Sequence, residues 1–294
     1  MSDLVFFCKS YLGDLKRFQR FWDSLNKHNP EKIPFYACVP ESDLVTFKSE
    51  VEHPDLIYWI TDQQIVAVSP SGSKERYEAL DGRLSQQILK AEVWRLIGCK
   101  NYVCFDSDSV VIRDLNAADF IAPNGDPYTV MHQHKYFLDQ AIQKNKLKYV
   151  SYFLEESNKL KKYFNRSGLD YEFGPTPCIW SSKVWKDLSE KTLMRDGMNI
   201  WDALIDIPIE IRWYGEGLLK HESISLNPIE PLMKVYLYDW QYKKNENLNA
   251  LSNLYVGILY QSNWDYDMDY GSSKKSWYKI IFRRFKSVLG WFLR

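Results

Sequence analysis

Net charge is what this 294-residue chain lacks most plainly: 38 Lys and Arg stand against 38 Asp and Glu, for a formal charge of zero. A basic field of the kind that meets phosphodiester backbones is missing, which argues against generic nucleic-acid binding. No stretch approaches the roughly 18 apolar residues needed to cross a bilayer. The N-terminus, with Asp3 and only the short apolar run Leu4–Cys8, does not read as a signal peptide. The cysteines, Cys8, Cys38, Cys99, Cys104 and Cys178, are odd in number and form no CxxC pair. Most have apolar neighbours, so they read as buried free thiols of a reducing, cytoplasmic compartment. No GxGxxG follows the first apolar run, where Gly13 stands alone, and this disfavours a dinucleotide-dependent dehydrogenase. Internal repeats and low-complexity segments are also missing. With 45% hydrophobic and 26% charged residues, disorder, collagen and coiled coil are excluded.

Aromatic residues, by contrast, are abundant: 16% of the chain, with 11 Trp and 20 Tyr. Such faces stack on bases and sugar rings, or they fill a Trp-rich core. The zero charge also hides an asymmetry. Lys274, Lys275, Lys279, Arg283, Arg284, Lys286 and Arg294 fall in the last 21 residues, which carry no acid. Removing these seven leaves 31 basic against 38 acidic residues, so an acidic body carries a basic tail.

Periodicity outlines an α/β protein. Leu4–Cys8 reads as a buried strand, followed by a helical pattern through Leu15, Phe18, Phe21, Trp22 and Leu25 that closes at Asn29-Pro30. Residues 33–39 and 56–60 suit further strands, with a short helix over 42–51 between them. Alternation of this kind predicts a mainly parallel sheet with helical crossovers. Residues 69–81 read as a long polar loop, 83–97 as a helix capped by Gly98, and 102–105 as a strand. Strands are expected at 129–131, 209–213 and 254–260, and helices over 137–164. The segment 173–180 reads as a loop entering a strand, with Ser182 as a cap for the helix from Lys183.

The strongest chemical signal is Asp106-Ser-Asp108, directly after the apolar run Tyr102–Phe105. The carboxyl ends of strands open into the crevice where ligands of α/β proteins bind. In extended backbone, residues i and i+2 face the same way, so both carboxylates can meet one hard cation such as Mg²⁺ or Mn²⁺. Two solvated turn aspartates are the plain alternative. With the opening strand 4–11, the helix segment Ser85-Gln-Gln-Ile-Leu-Lys90, the segments Trp213-Tyr-Gly-Glu216 and Tyr260-Gln-Ser-Asn263, and this motif, the chain resembles glycosyltransferases of the GT-A fold. More narrowly, it resembles the bacterial DUF6492-type transferases found among surface-polysaccharide genes.

That resemblance implies a GT-A-like, Rossmann-like α/β fold and a metal-dependent transfer of sugar from a nucleotide-sugar, with a UDP-sugar favoured. It places Lys9, Ser10 and Tyr11 at the nucleotide and turns Gln86, Gln87 and Lys90 toward the donor. Asp106 then meets the metal or ribose, and Asp108 holds the metal against the diphosphate. A late histidine often completes the metal shell in such enzymes. Gln261 occupies the corresponding segment here, a departure that leaves the coordination open. Glu210, Glu216 and Asp202 are candidates for a carboxylate base, with inverting and retaining chemistry both open. His132 and His134 are read as sugar contacts or structural residues. Trp180, Trp213 and Tyr214 are read as stacking platforms on the acceptor side or as core. The implied organisation is a nucleotide-sugar-binding half (1–115), an acceptor-binding half (116–270) and a tail (271–294).

On a helical wheel the tail is basic and amphipathic, with Trp277, Phe282, Phe285, Trp291 and Phe292 on the apolar side and Arg283 among the basic residues. It predicts peripheral binding to an anionic membrane. Together with the resemblance it suggests a lipid-linked glycan acceptor of O-antigen or capsule synthesis at the cytoplasmic face of the inner membrane, beside other polysaccharide-assembly enzymes. Two other classes compete. A haloacid-dehalogenase-type phosphohydrolase also places Asp-x-Asp after an apolar strand, but normally on the first strand and with Thr or Val where Ser109 stands. A non-catalytic, membrane-associated binding protein is the third reading.

Overall fold

In the computed structural model, residues 3–237 and 247–261 are described. The central sheet has five strands: β1 (Leu4–Lys9), β2 (Phe35–Val39), β3 (Tyr58–Thr61), β4 (Asn101–Asp106) and β7 (Cys178–Ser181), in the order β3-β2-β1-β4-β7. β1, β2, β3 and β4 are mutually parallel, and β7 runs antiparallel on β4. This is the mixed, mainly parallel α/β sheet expected. Between its strands lie α1 (Leu15–Lys27), α2 (Leu44–Glu50), α3 (Asp62–Val68), α4 (Lys74–Glu78), α5 (Gly82–Glu92) and α6 (Trp94–Ile97).

The sheet is buried on both faces, so its strands read as continuous apolar runs while their side chains alternate between two cores. Val5 and Phe7 face one core together with Tyr102, Cys104, Cys178 and Trp180. Leu4, Phe6 and Cys8 face the other with Val103, Phe105 and Ile179. The second core is a phenylalanine cluster in which Phe18, Phe21 and Trp22 of α1 pack on Phe35 of β2. All five cysteines are free and buried, as their apolar settings suggested.

Beyond β4 the chain forms β5 (Ser109–Val111) and β6 (Tyr128–Val130), then α7 (Lys135–Gln143) and α8 (Leu147–Tyr163). After β7 come α9 (Ser182–Leu188), α10 (Ile200–Asp206) and α11 (Glu210–His221). The described chain closes with β8 (Asn227–Ile229), β9 (Met233–Tyr236), α12 (Leu248–Ser252) and β10 (Gly257–Tyr260). β10 joins β5 antiparallel and β9 parallel in a second sheet, and β6 pairs with β8.

Four local expectations need correction. Residues 209–213 are not a strand. Glu210 opens α11, whose apolar contacts recur every three to four residues through Trp213, Tyr214 and Leu218. The polar loop 69–81 contains α4, because the Ser73 side chain accepts from the Arg76 N–H and starts a helix. The helix over 83–97 divides into α5 and α6, although Gly98 does close it at φ 65°. Ser181, not Ser182, caps α9, accepting from the Lys183 N–H at 3.3 Å. The basic tail lies outside the described residues.

Candidate functional site

Parallel strands deliver their carboxyl ends to one edge, and β1 to β4 do so here. Lys9 lies beside Asp106 across β1 and β4, and beside Cys38 across β1 and β2. Val39 lies beside Thr61, so Asp62 follows β3 at the same edge. The edge therefore gathers charged groups from three of the four strand ends, Lys9, Asp62 and Asp106.

Two linked ion clusters stand there. Lys9 Nζ lies 3.2 Å from Asp62 Oδ1 and donates to the Ser10 carbonyl at 2.5 Å. Asp62, only 1% exposed, also accepts from the Tyr77 hydroxyl at 2.5 Å and from Cys38 Sγ at 3.1 Å. In the second cluster, Lys90 Nζ on α5 donates to Asp106 Oδ1 at 2.5 Å and stands 3.9 Å from Glu210 Oε1 at the start of α11. Burial opposes the Lys90 charge, but Asp106 and Glu210 outweigh it and hold the ammonium well above its ordinary pKa. Lys90 leans on Asp106, so Glu210 is answered at longer range. Burial wins at Glu210 and raises its pKa.

Asp106 ends β4, whereas Asp108 sits in the turn before β5. The same-side argument from extended backbone therefore does not apply, and it is the turn that orients Asp108. β10 backs this turn: the Tyr260 N–H donates to the Asp108 carbonyl at 3.1 Å, and Gln261 follows directly, its own N–H on the Tyr236 carbonyl. Close approach of β10 to β5 requires Gly257, where a Cβ would lie 2.5 Å from the Val110 carbonyl oxygen. Gln261 is thus carried to the Asp-Ser-Asp turn from about 150 residues downstream in sequence.

Buried polar atoms without a described partner occur across the molecule, Asn101 Oδ1 at the far end of β4 and Asp187 Oδ2 on α9 among them, and a few lie in the segments around this edge. Ser10 Oγ, Gln87 Oε1 and Ser109 Oγ are buried and have no hydrogen-bond partner among the described residues. Buried polar atoms are normally satisfied, so such a group invites a ligand or water. Tyr11 follows Ser10 and is 53% exposed. Gln86 is half-buried one position away from Gln87 on α5.

Other predicted site residues lie elsewhere. Trp180, Trp213 and Tyr214 are at most 2% exposed. Trp180 meets Trp185 edge-on, Trp213 donates to the Ile207 carbonyl, and the Tyr214 hydroxyl accepts from the Ser181 N–H. They build the core and cannot stack on a sugar without unpacking it, which corrects the platform reading. Glu216 receives both Arg166 donors, Nε and Nη2, each at 2.6 Å. Asp202 completes the capping box of α10 and pairs with Arg76. Both acids hold structure rather than facing the Asp106 edge, so of the three base candidates only Glu210 adjoins it.

His132 bridges to Glu172 through the backbone, and its two ring nitrogens meet the Gly174 carbonyl at 2.6 Å and the His134 N–H at 3.2 Å. His134 stacks on Phe137 and Phe153, and burial lowers its pKa to about 4. This pair braces the root of the α7–α8 hairpin. The residues that sequence reading missed are Asp62, Arg166, Glu172 and Arg212. Arg212 is buried between Glu156 and Glu172, at 3.0 and 2.8 Å. For Asp62 a signal existed: like Asp106, it closes an apolar strand at the carboxyl edge.

The donor chemistry offered to a metal is oxygen only: the carboxylates of Asp106 and Asp108, with Gln261 following the strand that backs their turn. Among the described residues, no group of three or more His, Cys, Asp or Glu converges to hold a metal ion. The set suits a hard cation that keeps water or phosphate oxygens, as Mg²⁺ does, rather than an all-protein cage.

These elements make a mixed α/β protein whose mainly parallel sheet has a charged carboxyl edge. Residues 5–249 match DUF6492, a family of unknown function, and the chain belongs to that family. No curated protein matches the chain. Among solved structures, it is similar to the galactosyltransferase LgtC in complex with donor and acceptor sugar analogs, at 11% identity and a TM-score of 0.48, covering 87% of this chain and 86% of that one. It is similar to mouse xyloside xylosyltransferase 1 at 8% identity and a TM-score of 0.48, covering 90% and 99%. The bifunctional glycosyltransferase WbbM is similar at 13% identity and a TM-score of 0.45, covering 88% of this chain and 46% of that one. Such likenesses say nothing of reaction or substrate.

Proposed function

We propose that this protein is a glycosyltransferase that takes a sugar from a nucleotide-sugar, a UDP-sugar being favoured. The observation that carries the reading is the carboxyl edge itself. The Asp106-Ser-Asp108 turn and Lys90 meet where the parallel strands end, and Ser10, directly after β1, is buried with no described partner for its hydroxyl. In this reading Lys9, Ser10 and Tyr11 meet the nucleoside, with the exposed Tyr11 ring as its stacking face. Gln86, Gln87 and Lys90 meet the donor from α5. Asp106, Asp108 and Gln261 hold Mn²⁺ or Mg²⁺. A cation bound there stabilises the negative charge that develops on the leaving nucleoside diphosphate.

Lys90 has a second use. It holds Asp106 in place and keeps a positive charge beside the diphosphate, while Glu210 offsets that charge from behind. Glu210 is the acid to test as the base, because of the three candidates it is the one that adjoins Asp106 and Lys90, and burial raises its pKa. Residues 1–115 supply most of the donor side. The acceptor half, 116–270, contributes Glu210 and Gln261 to the same edge, and His132 and His134 shape its acceptor side by bracing a hairpin. The acceptor proposed is a lipid-linked glycan of bacterial surface polysaccharide, met at the cytoplasmic face of the inner membrane. Residues 274–294 would bind the anionic surface, through Trp277, Phe282, Arg283, Phe285, Trp291 and Phe292. No helix among the described residues is long and apolar enough to cross a membrane.

The test is a panel of nucleotide-sugars with Mn²⁺ or Mg²⁺, read by release of nucleoside diphosphate. Release from one donor, lost in Lys90→Met, supports the reading. Release of inorganic phosphate from simple phosphate esters, with no nucleoside diphosphate from any sugar donor, overturns it in favour of a phosphohydrolase. Deleting residues 274–294 should free the protein from anionic liposomes and spare turnover on a soluble acceptor.

A further inference from the structure

Asp62 collects donors from three separate parts of the chain. Its Oδ1 takes Lys9 Nζ at 3.2 Å, from the end of β1, and Cys38 Sγ at 3.1 Å, from β2. Its Oδ2 takes the Tyr77 hydroxyl of α4 at 2.5 Å. The side chains of Lys9 and Asp62 are 7% and 1% exposed, so water screens neither charge and removal of one would strand the other. Burial, and after it Asp62, raises the pKa of the Tyr77 hydroxyl, which therefore stays protonated and donates. Such a charge-assisted bond is stronger than one between neutral groups.

From this carboxylate the contacts lead in two directions. Lys9 leads to the turn after β1: its Nζ also donates to the Ser10 carbonyl at 2.5 Å, and the Ser10 N–H donates to the Cys38 carbonyl at 2.9 Å. Both backbone groups of Ser10 are thus held by residues that also hold Asp62. Tyr77 leads to α4, and that helix has a second anchor. Arg76 pairs with Asp202 of α10 and lies over the Trp201 ring, whose Nε1 donates to the Ser69 hydroxyl at 2.9 Å. α4 is therefore tied to α10 by Arg76 and to the sheet edge by Tyr77, and the two ties can be cut separately.

We propose that Asp62 is a positioning residue of the site: through Lys9 it sets the turn that carries Ser10 and Tyr11, and through Tyr77 it fastens α4 to that turn. The inference rests on the reading that this turn meets the nucleoside of a sugar donor, and it gives Lys9 its part there. The Lys9 ammonium is spent on Asp62 and on the Ser10 carbonyl, so it acts on a ligand through the turn. A turn fixed before the ligand arrives costs less to order on binding.

The experiment follows amide hydrogen exchange in the full chain with no ligand added. Asp62→Asn and Tyr77→Phe should each speed exchange about tenfold over residues 74–78 and also over residues 9–14, whereas Arg76→Met should speed it over 74–78 alone. Acceleration by Tyr77→Phe that stays within 74–78 overturns the proposal, because Asp62 would then not join the two segments. Equal acceleration of 9–14 by Arg76→Met overturns it as well, as general loosening. Should Asp62→Asn fail to fold with Lys9 left unpaired, Tyr77→Phe still separates these outcomes. The link to the site is read by calorimetry with UDP and Mg²⁺. The dissociation constant should rise about tenfold in Tyr77→Phe and stay unchanged in Arg76→Met, and equal values in the unaltered chain and both variants overturn the positioning role. In turnover with a donor found by the panel, the loss should fall on KM and leave kcat within about twofold. If the unaltered chain binds no UDP, the UDP-sugar reading fails by itself, and the exchange pattern decides whether Asp62 joins the turn to α4.

Discussion

The acids at the sheet edge and the acids of the helical layer look alike in sequence and differ in what answers their charge. Glu216 and Asp202 each pair with a guanidinium within the fold, and Glu172 shares that of Arg212 with Glu156. At the edge, Asp62 is answered by Lys9, Tyr77 and Cys38, whereas one ammonium, Lys90, stands between Asp106 and Glu210, and the Ser10 hydroxyl has no partner among the described residues. Complete pairing is the mark of an acid that holds structure. Incomplete pairing at a strand end is the mark of a site that waits for a ligand.

Four substitutions sharpen or break this contrast. The largest effect is expected at Asp108. Asp108→Ala should lower turnover by about a thousandfold or more, in line with the loss of charge stabilisation at a reacting centre, and leave the circular dichroism spectrum unchanged. Retained turnover would remove Asp108 from the site. Arg166→Met leaves Glu216 buried without its partner, and urea unfolding should show a loss of about 3 kcal/mol. Activity per folded molecule should persist, and a selective loss of turnover would return Glu216 to the list of bases.

His134 sets a pH dependence. Burial holds its pKa at about 4 in the fold against 6.5 in the unfolded chain. The unfolded state therefore takes up a proton first. The stability this group supports is whole above pH 6.5 and is lost as pH falls from there to about 4, amounting to about 3 kcal/mol. His134→Asn keeps a residue that tolerates the left-handed backbone, at φ 57°, and should flatten the stability curve across that window. An unchanged slope would show that the histidine is not buried neutral. The smallest effect on stability is expected at Ser10. Ser10→Ala removes an oxygen with no described partner, so unfolding should shift by less than about 0.5 kcal/mol. The KM for the nucleotide-sugar should rise about tenfold, the worth of one hydrogen bond to a charged ligand. A clear loss of stability instead would mean that the hydroxyl is satisfied within the protein.

The central sheet was legible because both of its faces are buried: a run such as Leu4–Cys8 has few other places to go. The Asp-Ser-Asp motif was legible for the same reason, as a sharp polar end to an apolar strand. Lys90 was legible only through the resemblance, as part of a polar helix face with Gln86 and Gln87. The misreadings share a cause. Trp180, Trp213 and Tyr214 carry polar tips that suit a sugar site, but Trp213 donates to the Ile207 carbonyl, the Tyr214 hydroxyl accepts from Ser181, 33 residues away, and Trp180 packs edge-on against Trp185. Glu216 and Arg166 are fifty residues apart. Pairings of that kind are set by how layers pack, and local spacing does not encode them. Residues 209–213 misled because β-branched Ile209 and Ile211 suggested a strand, while the packing of Trp213, Tyr214 and Leu218 selected a helix.

The dependence of the Asp108 turn on β10 also has a consequence in time. The strands that present Asp106 are complete within the first 106 residues of the chain. The strand that backs Asp108 and carries Gln261 emerges about 150 residues later, on the order of ten to thirty seconds at ~5–20 residues per second of synthesis. A nascent chain on the ribosome, once β7 has joined β4, thus holds a complete central sheet beside an Asp-Ser-Asp turn that still lacks its backing strand. That backing comes only when the last described strand arrives.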